Sequence, residues 1–314
     1  MRPASVFCSA GIASRSVGRL GARTFLKRTA FRHLPVHCND GAEYFVRKMV
    51  MIKSLLKTLI PTRYHDAAAA ADRYLTSFFY LGNRYHCPVC GLSFRTLKPF
   101  GRDTEVVREK KIVSMGYRPV SACPRCFSRE RARAIAMFLK KNRAFFEQKS
   151  RRILHIAPER CLRRLLISFP GVSYLSGDLR PGAAMEVVDV TSLRYADESF
   201  DLILCNHVLE HVPDDLKAMV EMRRVLKPGG IALLSVPIAL TLEQTYEDPS
   251  AVSEEDRLRV FGQEDHCRIY GKDFEHRLRK AGFQVAVHDP LDIFGLEAVR
   301  KCALLEEENL YVCT

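Results

Sequence analysis

The chain has 314 residues, of which 47% are hydrophobic and 27% charged, and a formal net charge of +13. That length accommodates one large domain plus a smaller module, and no apolar run is long enough to span a bilayer, which excludes a helical membrane span. The basic excess lies in residues 1–150, while residues 151–314 are net acidic; two modules are implied, the first facing RNA or another polyanion or else carrying a targeting segment and a solvated basic face.

Residues 1–50 are arginine-rich among Ala, Ser and Gly, and the first acidic side chain is Asp40. This is the composition of a mitochondrial or plastid transit peptide, or of an upstream extension before a start at Met49 or Met51. Over 51–86 a helical segment is expected. MIKSLLKTLI places Ile52, Leu55, Leu56, Leu59 and Ile60 on one face before Pro61. Residues 51–60 either dock on the protein itself or make peripheral contact with an anionic membrane. The alanine tract from Asp66 continues the helix.

Two C-P-x-C knuckles follow within 87–150: Cys87 with Cys90, and Cys123 with Cys126. Each knuckle presents two thiolates from one tight turn, and two knuckles complete a closed tetrahedral site suited to structural Zn²⁺. Gly91 fits the first turn. A redox dithiol is the competing reading, but such a motif normally occurs once and opens a helix. His86 is superfluous to a shell of four sulfurs. Paired knuckles among eleven cysteines point to a reducing compartment, hence a cytoplasmic protein, or the mitochondrial matrix or plastid if residues 1–50 are a transit peptide. The basic stretch 128–149 reads as an amphipathic helix, a solvated linker or a contact for phosphates.

From residue 151 strand-like and helix-like stretches alternate. Strands are expected over 152–157, 172–178, 185–190, 200–206, 230–236, 283–289 and 309–314, and helices over 158–169, 214–226 and 272–281. This is the pattern of an α/β, doubly wound, mostly parallel sheet, whose ligands sit outside the carboxyl ends of the strands. Asp178 ends the second strand, Asp189 and Val190 end the third, and Asn206-His207 end the fourth. A carboxylate at the second strand can accept both ribose hydroxyls, and one at the third an exocyclic adenine amine; each could instead cap a helix or form a turn. A long polar insert at 238–272 contains Tyr246, Glu247, Asp248, Gln263, Asp265, His266, Arg268 and Tyr270, and reads as a lid or acceptor pocket.

The run from Met185 to Pro237 resembles the central part of class I S-adenosylmethionine-dependent methyltransferases of the type 11-like kind. The resemblance rests on S-F-D entering the fourth strand, H-V-L-E-H leaving it and R-V-L-K-P-G-G before the fifth. It covers about 150–314 and implies a seven-stranded Rossmann-like methyltransferase sheet, S-adenosyl-L-methionine as cofactor and a methyl acceptor. From about residue 51 the chain also resembles a bacterial-type subgroup with a zinc-ribbon front end and H-I-A-P-E in the first turn.

In the wider family the first strand ends in an acid followed by a glycine-rich loop; here His155 stands at the acid and Ala157, Pro158 and Glu159 in the loop. Alanine is tolerable there if its φ is negative, and Pro158 suits a first helical turn. Glu159 near a helix N-terminus could hold the cofactor's ammonium.

Methyl transfer from a sulfonium is an in-line displacement, so a base is needed only if the acceptor must lose a proton. His207 is the first candidate and His266 the second, with Glu210 and His211 within the next turn. A metalloprotease reading of H-V-L-E-H fails, since its order is H-x-x-E-H and no third ligand is evident. The favoured acceptor is a small molecule or sugar, with RNA as the alternative. The competing class is a non-catalytic zinc-ribbon scaffold carrying a degenerate methyltransferase domain.

Overall fold

The computed structural model describes residues 65–147 and 150–314. The extension at residues 1–50 and the helix expected at 51–60 lie outside the described residues, so the membrane contact and transit readings find no counterpart here. The alanine tract forms α1 (His65–Ser77), which runs through a 3₁₀ turn into β1 (Leu81–His86). Short elements then surround the knuckles: β2 (Ser93–Phe94), β3 (Lys98–Phe100), α2 (Glu105–Glu109) and β4 (Arg118–Ala122). Strands β1 and β2 pair antiparallel, as do β3 and β4.

The helix α3 (Glu130–Lys141) follows, then the single turn α4 (Ala144–Glu147). The solvated-linker expectation for this stretch is overturned. Residues Glu130 to Ala136 of α3 are all buried, because its alanines, Ile135 and Leu139 pack against Ile153, Leu162 and Leu204 of the following domain. Burial of Arg133 is possible because every arm of its guanidinium finds a carbonyl. Nε donates to Cys302 at 2.7 Å, Nη1 to Ser121 and Ser128 at 2.6 and 2.7 Å, and Nη2 to Ala303 at 2.7 Å.

The remaining chain runs β5 (Arg151–Ile156), α5 (Arg160–Leu166), β6 (Val172–Asp178), β7 (Glu186–Val187), β8 (Phe200–Asn206), α6 (Asp215–Val225) and β9 (Leu226–Ser235). The insert contributes β10 (Tyr246–Glu247), α7 (Glu254–Phe261) and β11 (Arg268–Ile269). The chain then forms α8 (Phe274–Lys280), β12 (Val285–His288), α9 (Pro290–Phe294), α10 (Leu296–Lys301) and β13 (Leu310–Cys313). The expected seven-stranded sheet is present, ordered β12-β13-β9-β8-β5-β6-β7. Strand β13 runs antiparallel to both neighbours and every other pair is parallel. The third expected strand shrinks to two residues. The turns α9 and α10, which bury Val299, were not anticipated.

The period-two side-chain alternation of β5, β8 and β9 builds two apolar faces. Leu154, Ile156, Ile203, Cys205, Ala232 and Leu234 meet α6 and α8 on one side. Ile153, Leu202, Leu204 and Leu233 meet α3, α5 and α10 on the other. The chain leaves β5 outward through β6 and β7, then returns to β8 on the opposite side. The crevice for a ligand therefore opens outside the carboxyl ends of β5 and β8.

Candidate functional site

In the glycine-free turn between β5 and α5, one residue adopts a conformation that favours glycine. Ala157 has φ +45°, contrary to the expectation of a negative value, and its N–H donates to Gly177 at 2.8 Å. An alanine in the left-handed region costs about 1 kcal/mol, and the strand-to-strand hydrogen bond helps hold it there. Pro158 precedes the N-cap rather than standing in the first helical turn, since Glu159 is the N-cap of α5 and its side chain makes no cap bond.

That carboxylate turns inward instead. His155 Nε2 lies 2.8 Å from Glu159 Oε2, and His155 Nδ1 lies 3.1 Å from the Tyr174 hydroxyl. Arg131 Nε and Asn206 Nδ2 each donate to Glu159 at 3.4 Å. Burial works against ionisation of Glu159. The hydrogen bond and charge of His155, the charge of Arg131 and the bond from Asn206 outweigh it, and the pKa falls to about 2. His155 itself is fully buried beneath Glu159.

At the other strand ends the acids differ. Asp178 is buried at the end of β6, and its Oδ1 accepts from the Arg180 N–H at 2.9 Å. Asp189 is exposed, and one oxygen accepts from both the N–H and the hydroxyl of Thr191 at 2.8 Å, bonds that hold its carboxyl below the usual range. Its own contacts are those of a turn former. Val190 packs its side chain into the core. Asn206 accepts from Ser235 Oγ at 3.0 Å, which orients its amide toward Glu159.

Both candidate histidines line one cavity of 590 Å³. One wall is the sheet edge and the insert, with His207, Glu210, His211, Gln263 and His266. The other comes from the knuckle segment and the start of α3, with Phe100, Arg102, Met115, Arg129 and Arg131. His207 has φ +53° and its N–H donates to Ser235 at 2.8 Å, which fixes the backbone where the chain leaves β8. Its Nε2 is buried without a hydrogen-bond partner among the described residues. Burial, with Arg131 and Arg129 nearby, pushes the His207 pKa well down. Burial likewise lowers His266 to about 3, helped by the neighbouring His211. Both rings are therefore neutral at pH 7, with their nitrogens unprotonated on one side but weakly basic. Glu210 is pushed up to about 8 by burial.

The rest of the insert is scaffold. Arg268 donates to the carbonyls of Leu209 and Pro213 at 2.8 Å and to Glu247 at 2.7 Å, and the Tyr270 hydroxyl donates to Asp215 at 2.6 Å. Of its singled-out polar residues, only Gln263 and His266 line the cavity. Sequence reasoning missed Phe100, Met115 and the cavity role of Arg129 and Arg131. The signal was the S-R-E-R after the second knuckle, whose arginines fall beside the sheet edge only once α3 is packed.

The four cysteines converge. Cys87 Sγ lies 3.6 Å from Cys126 Sγ, Cys90 Sγ lies 3.8 Å from Cys123 Sγ, and all four sulfurs fall within 4.8 Å of one another. A regular tetrahedron with Zn–S bonds near 2.3 Å has edges of about 3.8 Å. The knuckles share one turn: the N–H of Gly91 donates to Cys87 at 2.9 Å and that of Phe127 to Cys123 at 3.0 Å. Gly91 has φ +76° and Phe127 φ +61°, so the second knuckle makes a glycine-type turn without glycine.

Residues 171–234 match a family described as Methyltransferase domain. This is the stretch that carries Asp178, Asp189 and Asn206-His207. An uncharacterized methyltransferase of Mycobacterium sp. (strain KMS) is 50% identical over 50 residues, 16% of this chain and 20% of the relative. The ubiquinone/menaquinone biosynthesis C-methyltransferase of Bdellovibrio bacteriovorus is 49% identical over 45 residues, 14% of this chain and 19% of the relative. The chain thus spans about a fifth of the length of these curated relatives. Among solved structures, a phosphoethanolamine N-methyltransferase of Haemonchus contortus in complex with S-adenosyl-L-methionine is 16% identical. That match covers 58% of this chain and 51% of the other, with a TM-score of 0.37. No helix among the described residues is long and apolar enough to cross a membrane.

Proposed function

We propose that the protein is an S-adenosylmethionine-dependent methyltransferase acting on a small molecule, and that a structural Zn²⁺ in the four-cysteine site supports one wall of its acceptor cavity. The observation that carries this reading is the position of Asp178, Asn206 and the Ala157–Glu159 turn around the crevice where the strand order reverses, within or beside the stretch that matches the family.

The residues fit the cofactor. Asp178 keeps one oxygen turned from the Arg180 N–H and can accept from ribose hydroxyls, since the Arg180 guanidinium that also approaches it is on a largely exposed side chain. The exposed Asp189, whose Oδ2 is not used in the turn with Thr191, is the candidate for the adenine amine, beside Val190. At the amino-acid end, Glu159 suits an ammonium, and Arg131 Nη1, buried without a hydrogen-bond partner among the described residues, suits a carboxylate. The cofactor supplies a methyl sulfonium for in-line displacement. His207 holds its neutral Nε2 at the cavity wall for an acceptor proton, with His266 across from it. The two walls restrict water and orient the acceptor.

The cavity favours a small molecule or sugar over RNA, because Arg133 of the basic half is buried with its donors spent on carbonyls, and Arg131 is buried facing the cavity, not an open surface. The scaffold reading is the weaker one, since Asp178 and Asn206 stand at their strand ends and Ala157 takes a glycine-type φ in the turn beside them.

The test is calorimetric titration of S-adenosylmethionine and S-adenosylhomocysteine into the full chain, with Asp178→Ala in parallel. Micromolar binding, weakened by roughly 10-fold or more in the variant, is expected, as for loss of a charged hydrogen bond. No binding to folded wild-type protein overturns the reading.

A further inference from the structure

Opposite the arginine-bearing wall, three side chains that sequence reasoning treated as base candidates or as structure come together. Glu210, His211 and His266 each offer one ligand atom within 4.8 Å of the others. We propose that these three hold a divalent transition-metal ion at the cavity wall, separate from the four-cysteine site. The third ligand absent from the H-V-L-E-H stretch is supplied by His266, from the insert 55 residues after His211 in the fold's own numbering.

The ligands are held by contacts that have nothing to do with a metal. The Cys267 N–H donates to the Glu210 carbonyl at 2.8 Å, and Arg268 bonds the Leu209 carbonyl, so the insert is pinned to the turn that bears Glu210 and His211. The two imidazole rings meet edge to face with centroids 4.6 Å apart.

Two observations point to a ligand rather than to chance proximity. First, Glu210 is 1% exposed, and neither carboxylate oxygen has a hydrogen-bond partner among the described residues; the approach of His207 Nδ1 to Oε1, at 3.4 Å, leaves Oε2 without any polar neighbour of that kind. A buried carboxyl left so is costly, and a cation in the position its neighbours define removes that cost. Second, His211 Nδ1 lies 3.2 Å from both the backbone oxygen and the carboxylate of Asp265. A carboxylate or carbonyl behind one ring nitrogen is what fixes the tautomer and aim of a metal-binding imidazole.

Two imidazoles and one carboxylate suit Zn²⁺, Mn²⁺, Fe²⁺, Co²⁺ or Ni²⁺ in preference to Mg²⁺ or Ca²⁺, which take mostly oxygen. Three protein ligands leave positions open toward the 590 Å³ cavity. The ligand those positions would take is an oxygen donor: a hydroxyl, enol or carboxylate of the acceptor, which the ion orients and polarises. Metal binding stands independently of methyl transfer, whereas this role toward the acceptor rests on the methyltransferase reading.

The test uses the full chain with its four-cysteine site zinc-loaded, titrated with Co²⁺ and followed by visible absorption and metal counting. One further equivalent is expected, giving the d–d bands of nitrogen and oxygen ligation without thiolate charge transfer. His266→Ala should weaken it by roughly 100-fold or abolish it. Asp265→Asn, a change at an exposed side chain that leaves folding undisturbed, should weaken it roughly 10-fold. Circular dichroism and S-adenosylhomocysteine titration of the same samples separate loss of the metal site from loss of the fold or of the cofactor site. The proposal is overturned if no equivalent binds beyond the cysteines, or if His266→Ala, still folded, binds Co²⁺ as tightly as the wild type.

Discussion

The two walls of the cavity are built by opposite means. The sheet wall hangs on β5, β8 and β9, whose alternating side chains bury two continuous apolar faces; its polar residues stand where those strands end. The knuckle wall has only two- to six-residue strands and one short helix, and a small apolar cluster around Cys87, Phe94, Leu97 and Cys123. It is held by four sulfurs and by one arginine. A wall supported by a distributed core tolerates single changes, while one supported by a few point contacts does not.

The largest expected effect is on the knuckle wall. A structural zinc site contributes on the order of 10 kcal/mol to the segment it organises. On the proposal that the four cysteines hold Zn²⁺, treatment with a chelator should therefore bring rapid hydrogen exchange to residues 81–128, while β8 stays protected. Equal loss of protection in β8 would show that the two walls are one cooperative unit and break the comparison.

Next comes Arg133→Met, which removes a buried cation but leaves four carbonyls without their donor. A loss of about 3–5 kcal/mol is expected by urea denaturation. Two residues away, Arg131→Met should cost only about 1 kcal/mol, since Arg131 reaches Glu159 through a single long hydrogen bond. Similar losses for the two would mean that the helix as a whole, not the carbonyl set, is the support.

On the sheet wall the polar cluster has a pH signature. Glu159 has a folded pKa of about 2, below its unfolded value, so its contribution is full above about pH 4.3 and disappears as pH falls through 2. The stability gap between wild type and Glu159→Gln should amount to about 3 kcal/mol near pH 6 and close on acidification. A gap independent of pH would place the stabilisation in packing. The smallest effect belongs to Ala157→Gly, expected to leave stability within about 1 kcal/mol of the wild type or to raise it, because the φ of +45° suits glycine. Ala157→Val, measured by the same thermal melts, should go the other way.

What could be read from the sequence follows the same division. Periodicity located β5, β6, β8, β9 and the helix α6, because burial on a regular element repeats with its geometry. The spacing of the knuckles brought the four cysteines together on paper before the fold did. Burial of α3 was not legible: its arginines look solvated, and the partners that permit burial, Cys302 and Ala303, are 169 and 170 residues away. Nor was the loop at Ala157, since sequence gives the residue but not the sign of φ. His207 and His266 were identified singly; that Glu210 and His211 share their cavity depends on how the insert folds back over the sheet edge.

Arg133 also has a consequence in time. The chain leaves the ribosome with this arginine long before Cys302 and Ala303 are made, so half of its carbonyl partners do not yet exist when the knuckles emerge. During synthesis the knuckle segment can gather its sulfurs but cannot bury α3 without stranding a charge. The early segment therefore waits for the late one, and a nascent chain arrested before residue 302 should remain open to proteases around α3.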